Sequence, residues 1–340
     1  MKLAVVLFNL GGPDSLEAVE PFLRNLFSDP AILSVPGFIR GPLARTIARR
    51  RAPVAQGIYE KLGGRSPILP ETEAQARALE AALAVDGGEV RCFIAMRCWK
   101  PFSDDAARAV KDWGAERIVL LPLYPQYSTT TTQSAVKEWA RAAKDAGLTV
   151  PTSRVCCYPW DTGFVAASAD LIRASLENRK PGVTYRLLLS AHGLPERTVK
   201  RGDPYRWQVE KSAEAIVAAL GLPELDSVVC YQSRVGPLKW IGPATDAEIR
   251  KAGAEGKGLI VYPIAFVSEH SETLVELDIE YGHLAQEAGV PHYLRVPTVG
   301  HRDRFIEGLA DLVRAALVSQ TPVTCGDGRI CPRDFARCGY

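Results

Sequence analysis

Residues 118–123 read IVLLPL, a short run that is apolar on both faces of any strand it forms. Residues 259–264 read LIVYPI and repeat this run 141 positions later. A second match, PFSD at 101–104 with PATD at 243–246, has an offset of 142 positions. Strands that are apolar on both faces are typical of parallel sheets covered by helices. The repeat therefore predicts an α/β protein made of two similar doubly wound halves, each with a parallel sheet.

The length of 340 residues is enough for two domains. We predict a first α/β half over residues 1–170, a second over 171–320 and a separate cysteine-rich tail over 321–340. In doubly wound sheets, ligands bind at the carboxyl ends of the strands. Functional residues are therefore expected in the loops that follow the strands.

The composition excludes several classes of protein. Apolar residues make up 47% and charged residues 24%, which is ordinary for a globular chain and not for a disordered one. A net charge of +2 is too small for a dedicated nucleic-acid binder, so we expect no nucleic-acid partner. The apolar runs are far shorter than the ~20 residues of a membrane span, and the N-terminus has no cleavage site of the secretory type. We expect a cytoplasmic protein.

The run LLLSAHGLP at residues 187–195 ends a predicted buried strand with His192 in the loop that follows. An imidazole at the carboxyl end of a strand can act as a base or as a metal ligand. The alternative is a structural histidine that is hydrogen-bonded beneath its loop.

A row of carboxylates follows the repeated strand. Glu272, Glu276 and Glu280 are spaced by four, so a helix would place all three on one face, with His270 at its head. Like charges at this spacing destabilise a helix by ~0.2–0.5 kcal/mol per pair, and no Lys or Arg occurs between Lys257 and Arg295. Cation handling or proton relay explains the row better than a solvated face does. Histidine with carboxylate suits Fe(II) or another divalent first-row ion.

HGLP at 192–195, with GDPY at 202–205, resembles the signature of ferrochelatases. Further matching blocks are NLGGP at 9–13, YPQYS at 124–128, YQSRVGP at 231–237, WIGP at 240–243, PIAF at 263–266 and ELDIEY at 276–281. The matches follow the family's order and together cover residues 3 to about 315.

The resemblance implies a metal chelatase that inserts Fe(II) into protoporphyrin IX and releases two protons, the terminal step of haem synthesis, on two flavodoxin-like halves. It implies that His192 and Glu272 face each other across the porphyrin centre. His192 is then the favoured proton acceptor and Glu272 a metal or proton partner, so both are candidate metal ligands. Glu276 extends the path outward, and Glu280 continues it.

The family's porphyrin wall maps onto Leu10, Arg97, Cys98 and Tyr124. Arg97 is the candidate for a propionate, because guanidinium binds carboxylate in a bidentate manner. Cys98 replaces an aromatic residue that is often found there.

An apolar segment beside a basic one resembles the family's cleft lip. The apolar residues are Ile32, Leu33, Val35, Phe38, Ile39 and Leu43, and the basic ones are Arg40, Arg45, Arg49, Arg50 and Arg51. Such a surface could rest on an anionic membrane, gaining ~1 kcal/mol per basic residue near the lipid. The prediction is peripheral contact with the inner membrane; the alternative is ordinary packing with a solvated arginine-rich helix.

The tail carries Cys325, Cys331 and Cys338, and Cys156 and Cys157 form an adjacent pair. Three tail thiolates, with a fourth from Cys156 or Cys157, would satisfy a [2Fe-2S] cluster, which similar tails carry in a subset of ferrochelatases. A four-thiolate zinc site is the structural alternative.

Three further questions stay open at this level. The tetrapyrrole could be coproporphyrin instead of protoporphyrin. The chain could also be a haem or porphyrin carrier without catalysis. The oligomeric state stays open between monomer and homodimer.

Overall fold

We describe a computed structural model of the chain, over residues 1–84, 87–234, 236 and 238–340. Val235 and Pro237, from the block at 231–237, lie outside the described residues. The strands of the described part are β1 (Lys2–Asn9), β2 (Glu89–Met96), β3 (Arg117–Pro122), β4 (Thr152–Cys157), β5 (Tyr185–His192), β6 (Asp226–Gln232), β7 (Gly258–Pro263), β8 (Tyr293–Arg295) and β9 (Val323–Thr324).

Helices connect these strands. The α-helices of the described part are α1 (Val19–Ser28), α2 (Gly37–Glu60), α3 (Ile68–Ala84), α4 (Ser103–Trp113), α5 (Thr132–Asp145), α6 (Thr162–Leu176), α7 (Glu196–Lys200), α8 (Tyr205–Leu220), α9 (Thr245–Ala254), α10 (Tyr281–Glu287) and α11 (Asp303–Val318). A π-helix spans Glu272–Glu280.

Two parallel sheets confirm the predicted α/β class. One has the strand order β2-β1-β3-β4-β9 and the other β6-β5-β7-β8. The central strands are buried on both faces; residues 3–8 and 187–189 are at most 3% exposed. Burial on both faces is the reason that these runs lack the apolar–polar alternation of a half-exposed strand.

The internal repeat is visible in the hydrogen bonds as well as in the strand order. The orders β2-β1-β3-β4 and β6-β5-β7-β8 are equivalent, and β3 and β7 are the strands that carry the repeated run. At the end of β2, the N–H of Met96 donates to the carbonyl of Pro101 at 2.7 Å; at the end of β6, the N–H of Tyr231 donates to the carbonyl of Pro243 at 2.9 Å. The prediction of two similar doubly wound halves is therefore confirmed.

The chain divides into two compact units. The first contains Met1–Cys157, Leu309–Arg329 and Gly339–Tyr340, and the second contains Tyr158–Gly308 and Ile330–Cys338. The division falls at Cys157 and Leu309 instead of residues 170 and 320, and the tail is distributed over both units. The second part of α11 belongs to the first unit because Arg117 donates to the carbonyl of Leu317 and Arg314 to that of Ala82.

The carboxylate row lies on a π-helix, not on the ordinary helix that its spacing predicts. The N–H of Tyr281 closes this helix on the carbonyl of Glu276, five residues earlier. Such bonds define a π-helix, a rare form that occurs frequently at functional sites. The 3.6-residue period assumed for the row is thus wrong for this segment.

Within the described residues, no helix is both long enough and apolar enough to span a bilayer.

Candidate active site

His192 is the last residue of β5, at the carboxyl end of the sheet in the second unit. Its Nδ1 lies 2.7 Å from Oε2 of Glu272, the first residue of the π-helix. The imidazole is 38% exposed, so the pair is accessible from solvent. The structure thus joins two predicted site residues that are 80 positions apart.

Ser233, which follows β6, connects the first two glutamates of the row. Its hydroxyl lies 3.0 Å from Oε2 of Glu272 and 2.5 Å from Oε2 of Glu276. Its backbone N–H also donates to Oε1 of Glu276 at 2.8 Å. The residue has φ +60°, in the left-handed region that few non-glycine residues adopt. A conformation of this kind is maintained by its surroundings and is frequent at functional sites.

Gln232 and Tyr281 complete the environment of Glu276. The amide of Gln232 donates to the carbonyl of Glu272 at 2.9 Å and to Oε2 of Glu276 at 3.1 Å. Its own Oε1 accepts a hydrogen bond from Ser190, which orients the amide. The phenol of Tyr281 donates to Oε1 of Glu276 at 3.1 Å. Uncharged donors, not cations, therefore surround this carboxyl in the described structure.

The two carboxyl groups titrate in opposite directions. Burial raises the pKa of Glu272, but the charge and hydrogen bond of His192 outweigh it and lower the pKa to about 2. Burial and the charge of Glu272 raise the pKa of Glu276 above its ordinary value, against the donors of Ser233 and Gln232. Glu272 is therefore the ionised member of the pair, and Glu276 is the one that more readily holds a proton.

The pKa of His192 is raised. Burial alone would lower it, but the carboxylates of Glu272 and Glu276 favour the imidazolium and outweigh the burial. The imidazole is thus charged up to a higher pH than a free histidine, and it becomes a proton acceptor only above that pKa.

His270 and Glu280 lie outside the described hydrogen bonds that join His192, Ser233, Glu272 and Glu276, although His270 is close enough to Glu272 to lower its pKa. The Nδ1 of His270 lies 3.0 Å from the carbonyl of Ser268, and its ring packs on Phe266 with centroids 4.6 Å apart. Burial lowers the pKa of His270, so it is a neutral, packed residue. Glu280 is exposed at the end of the π-helix.

In the first unit, Arg97 is held by the protein itself. Its Nη2 lies 2.9 Å from Oδ2 of buried Asp29, and its Nε donates to Ser134 at 2.7 Å. The hydroxyl of Ser134 also donates to Asp29. Two of the three guanidinium nitrogens therefore have partners before any ligand binds.

The other predicted wall residues, Leu10, Cys98 and Tyr124, follow the ends of β1, β2 and β3. The carbonyl of Leu10 accepts the N–H of Cys98 at 2.8 Å, which places these two residues side by side. Gly11, the residue after Leu10, has φ +84°. A Cβ at this position would lie only 3.0 Å from Cβ of Met96 and 3.1 Å from the backbone N of Trp99. Burial raises the pKa of Cys98 to about 12, so its thiol is protonated.

Tyr124, after β3, packs on the core of the first unit. Burial raises the pKa of its phenol, and Cys98 and Arg97 lie close enough to affect it electrostatically. The structure thus groups Arg97, Cys98 and Tyr124 at the carboxyl ends of β2 and β3, the two strands that flank β1.

The predicted cluster cysteines differ in burial. Cys156 and Cys157 end β4 and are buried, whereas Cys325 and Cys338 are half-buried. Cys331 is buried, and its sulfur accepts an N–H from Gln208 at 3.0 Å. Among the described residues, no three His, Cys, Asp or Glu side chains are grouped in a way that could hold a metal ion. The cluster stays a prediction.

Sequence patterns did not identify Ser233, Asp29 or Ser134 as site residues. Ser233 stands in a matching block, but a positive φ leaves no sequence signal in a serine. Tyr281 lies five positions after Glu276, and the three- and four-residue spacings of an ordinary helix do not pair these two side chains.

We predict that Glu272→Gln lowers the pKa of His192, because the substitution removes the nearest negative charge that opposes burial. The imidazolium would then lose its proton at a lower pH than in the wild type. NMR titration of the histidine Cε1 protons measures this change. His292, whose Nδ1 lies 2.6 Å from the phenol of Tyr185, serves as the internal reference and should keep its pKa. An unchanged His192 pKa would contradict the electrostatic pairing.

Comparison with known proteins identifies the family of this chain. The family model Ferrochelatase matches residues 2–317. The ferrochelatase of Phenylobacterium zucineum is 57% identical, over 99% of this chain and 98% of the relative. The ferrochelatase of Caulobacter vibrioides is 54% identical, over 99% of this chain and 97% of the relative.

Solved structures show the same fold at low identity. SirB from Bacillus subtilis with Fe3+ has a TM-score of 0.53 at 16% identity, covering 94% of this chain and 96% of SirB. The sirohydrochlorin chelatase SirB from Bacillus subtilis subspecies spizizenii, in complex with cobalt, has a TM-score of 0.52 at 13% identity, covering 93% and 95%. On the family match and the close relatives, the chain belongs to the ferrochelatase family.

Proposed function

We propose that this protein is a metal chelatase that inserts Fe(II) into protoporphyrin IX, forming protohaem and two protons. Insertion breaks two pyrrole N–H bonds and forms bonds from iron to the ring nitrogens, so the enzyme needs a proton acceptor and an anionic group for the cation. The contact of 2.7 Å between His192 and Glu272 supplies both at one point, and it is the observation that carries the proposal.

The protonation of the pair identifies the accepting atom. Glu272 has a low pKa, so its carboxylate is ionised and can only accept hydrogen bonds. The proton of the neutral imidazole therefore lies on Nδ1, which donates to Glu272, and the lone pair lies on Nε2. We assign proton acceptance to Nε2, with Glu272 orienting the ring as in other base–carboxylate pairs.

Ser233 supplies a route away from the pair. A serine hydroxyl has one hydrogen, so it can donate to only one of its two carboxylate neighbours at a time. When Glu276 holds a proton, that carboxyl can donate to Ser233 while Ser233 donates to Glu272. After Nε2 has accepted a proton, the Nδ1 proton of the imidazolium can pass to Glu272, and we propose that it leaves from there through Ser233 and Glu276, with exposed Glu280 at the outer end of the row.

Contact with Fe(II), the substrate metal, is assigned to Glu272 and to His192 in its neutral form. A carboxylate and an imidazole are suitable ligands for ferrous iron. Leu10, Arg97, Cys98 and Tyr124 are proposed to contact the porphyrin. Arg97 would bind a propionate through the donors that Asp29 and Ser134 leave available.

The lip is proposed to contact an anionic membrane. Phe38 is 82% exposed and Ile39 44% exposed at the start of α2, and Arg45, Arg49 and Arg50 are exposed along the same helix. Arg40, the first of the predicted basic residues, also donates to the carbonyls of Leu33 and Val35, which leaves its positive charge in place.

A [2Fe-2S] cluster in the tail is proposed from the chemistry of the donors. Buried Cys331 accepts an amide N–H, a contact of the kind that tunes thiolate ligands. The ligands would be Cys325, Cys331 and Cys338, with either Cys156 or Cys157.

Catalytic turnover tests the proposed function. Under anaerobic conditions with excess Fe(II) and protoporphyrin IX, we expect many molecules of protohaem per chain, measured by absorbance. Coproporphyrin assayed in parallel should turn over more slowly. Faster turnover of coproporphyrin would identify coproporphyrin as the preferred substrate. Stoichiometric binding without turnover would indicate a carrier instead of an enzyme.

We predict that His192→Ala lowers kcat for iron insertion by ~10²–10⁴-fold, the usual contribution of a positioned base. Porphyrin affinity, measured by fluorescence titration, should stay near that of the wild type. His292→Ala is the matched control, because this histidine contacts Tyr185 and not the carboxylate row. Wild-type turnover in His192→Ala would remove the assigned role.

For the tail, we expect visible absorption typical of a [2Fe-2S] centre, with equal amounts of iron and acid-labile sulfide in anaerobically purified protein. Cys331→Ser should lose both, whereas Cys92→Ser, in β2 of the first sheet, should retain them. Zinc without sulfide would reject the cluster in favour of the structural zinc site.

A further inference from the structure

Arg295, at the end of β8, connects two carboxylates that flank the row. Its Nε and Nη2 donate to the two oxygens of Asp278 at 2.6 and 2.8 Å. Its Nη1 donates to Oε1 of Glu269 at 2.6 Å. The side chain is only 14% exposed, so these charge-assisted bonds lie largely out of solvent.

The two partners of Arg295 lie on either side of the glutamates. Glu269 lies three residues before the π-helix begins at Glu272, and Asp278 lies two residues after Glu276. Glu269 also accepts the backbone N–H of Thr298 at 2.9 Å. One guanidinium therefore joins the entry of the π-helix to its last turn.

A second residue of β8 contacts the same helix. The phenol of Tyr293 donates to the carbonyl of Leu277 at 2.7 Å. Tyr293 and Arg295 are two positions apart and so lie on the same face of their strand. The edge strand β8 thus contacts the π-helix through one hydrogen bond to a backbone carbonyl and one ion pair.

The π-helix needs such external support. Its geometry is rarely stable over several residues, and it carries carboxylates with no basic residue in the sequence between Lys257 and Arg295. Arg295 is the first cation after the row. Hydrogen bonds to charged groups are stronger than the repulsion between like charges on a helix surface, so the bonds of Arg295 outweigh that repulsion.

We propose that Arg295 is a positioning residue, which clamps Glu269 and Asp278 and thereby fixes the placement of Glu272 and Glu276 beside His192 and Ser233. Its partners are the flanking carboxylates, so it acts on Glu272 and Glu276 through the backbone of the π-helix. The inference rests on the catalytic roles proposed above for Glu272 and Glu276. The effect of Arg295 on the stability of the π-helix does not depend on those roles and can be measured without substrate.

The test compares Arg295→Gln with Arg186→Gln. Arg186 is a matched control because it is 6% exposed and bonds to Asp226 and Glu255, but it lies at the start of β5, the opposite end of the strand from His192. We expect Arg295→Gln to speed amide hydrogen exchange at residues 272–280 at least about tenfold relative to β5. Arg186→Gln should show no such selective increase.

Kinetics provide the second measurement. We expect kcat in Arg295→Gln to fall about tenfold to a hundredfold, the cost of misplacing catalytic groups by about 1 Å, while KM for protoporphyrin changes less than about threefold. Arg295→Lys should recover only part of kcat, because an ammonium cannot bond to both carboxylates as the planar guanidinium does. If Arg295→Gln does not fold, Asp278→Asn and Glu269→Gln each remove half of the clamp and take its place.

Unchanged exchange at residues 272–280, or an equal rise throughout the second unit, would overturn the clamp. Faster local exchange with wild-type kcat would overturn the positioning role alone. A wild-type protein that inserts no iron would instead refute the proposed function, and the exchange data would still decide on the clamp.

Discussion

The contact between Nδ1 of His192 and Oε2 of Glu272 determines the chemistry of the rest of the site. It joins the end of a central strand to the start of the π-helix, and it keeps one carboxylate ionised inside the protein. Glu276 must then lie beside an existing negative charge, which is why its pKa is raised. Ser233 bridges the two groups because a hydroxyl can serve either protonation state.

The two units show how one topology supports different charges. In the second unit, the loop after β7 leads into a π-helix that carries carboxylates, and in the first the loop after β3 leads into the ordinary helix α5 through the hydroxyl-rich run at 128–132. The first unit also holds Arg97, whose charge is balanced by Asp29. Since the strand orders are equivalent, the difference lies in the loops, as expected where function is carried by loops on a rigid scaffold.

The fold could be predicted because each buried parallel strand appears in the sequence as a short apolar run, and the internal repeat contains the same run in both halves. His192 could be found because it ends such a strand, and Glu272 because it begins a row of carboxylates in the segment after another one. The π-helix could not, because the row at 272, 276 and 280 fits the common helix equally well. The roles of Ser233 and Arg295 depend on contacts across 39 and 17 positions, which no local pattern contains.

The distribution of charge around the row follows one rule. Arginine neutralises the flanking carboxylates, Glu269 and Asp278, whereas Glu272 and Glu276 are surrounded by an imidazole, a hydroxyl, an amide and a phenol. A permanent cation beside Glu272 would repel a divalent metal ion at close range, since the interaction is strong away from bulk water. Histidine is different, because it can lose its charge, and His192 does so above its raised pKa. The site can therefore stabilise its carboxylates in the absence of metal and still present an anionic surface once His192 is neutral.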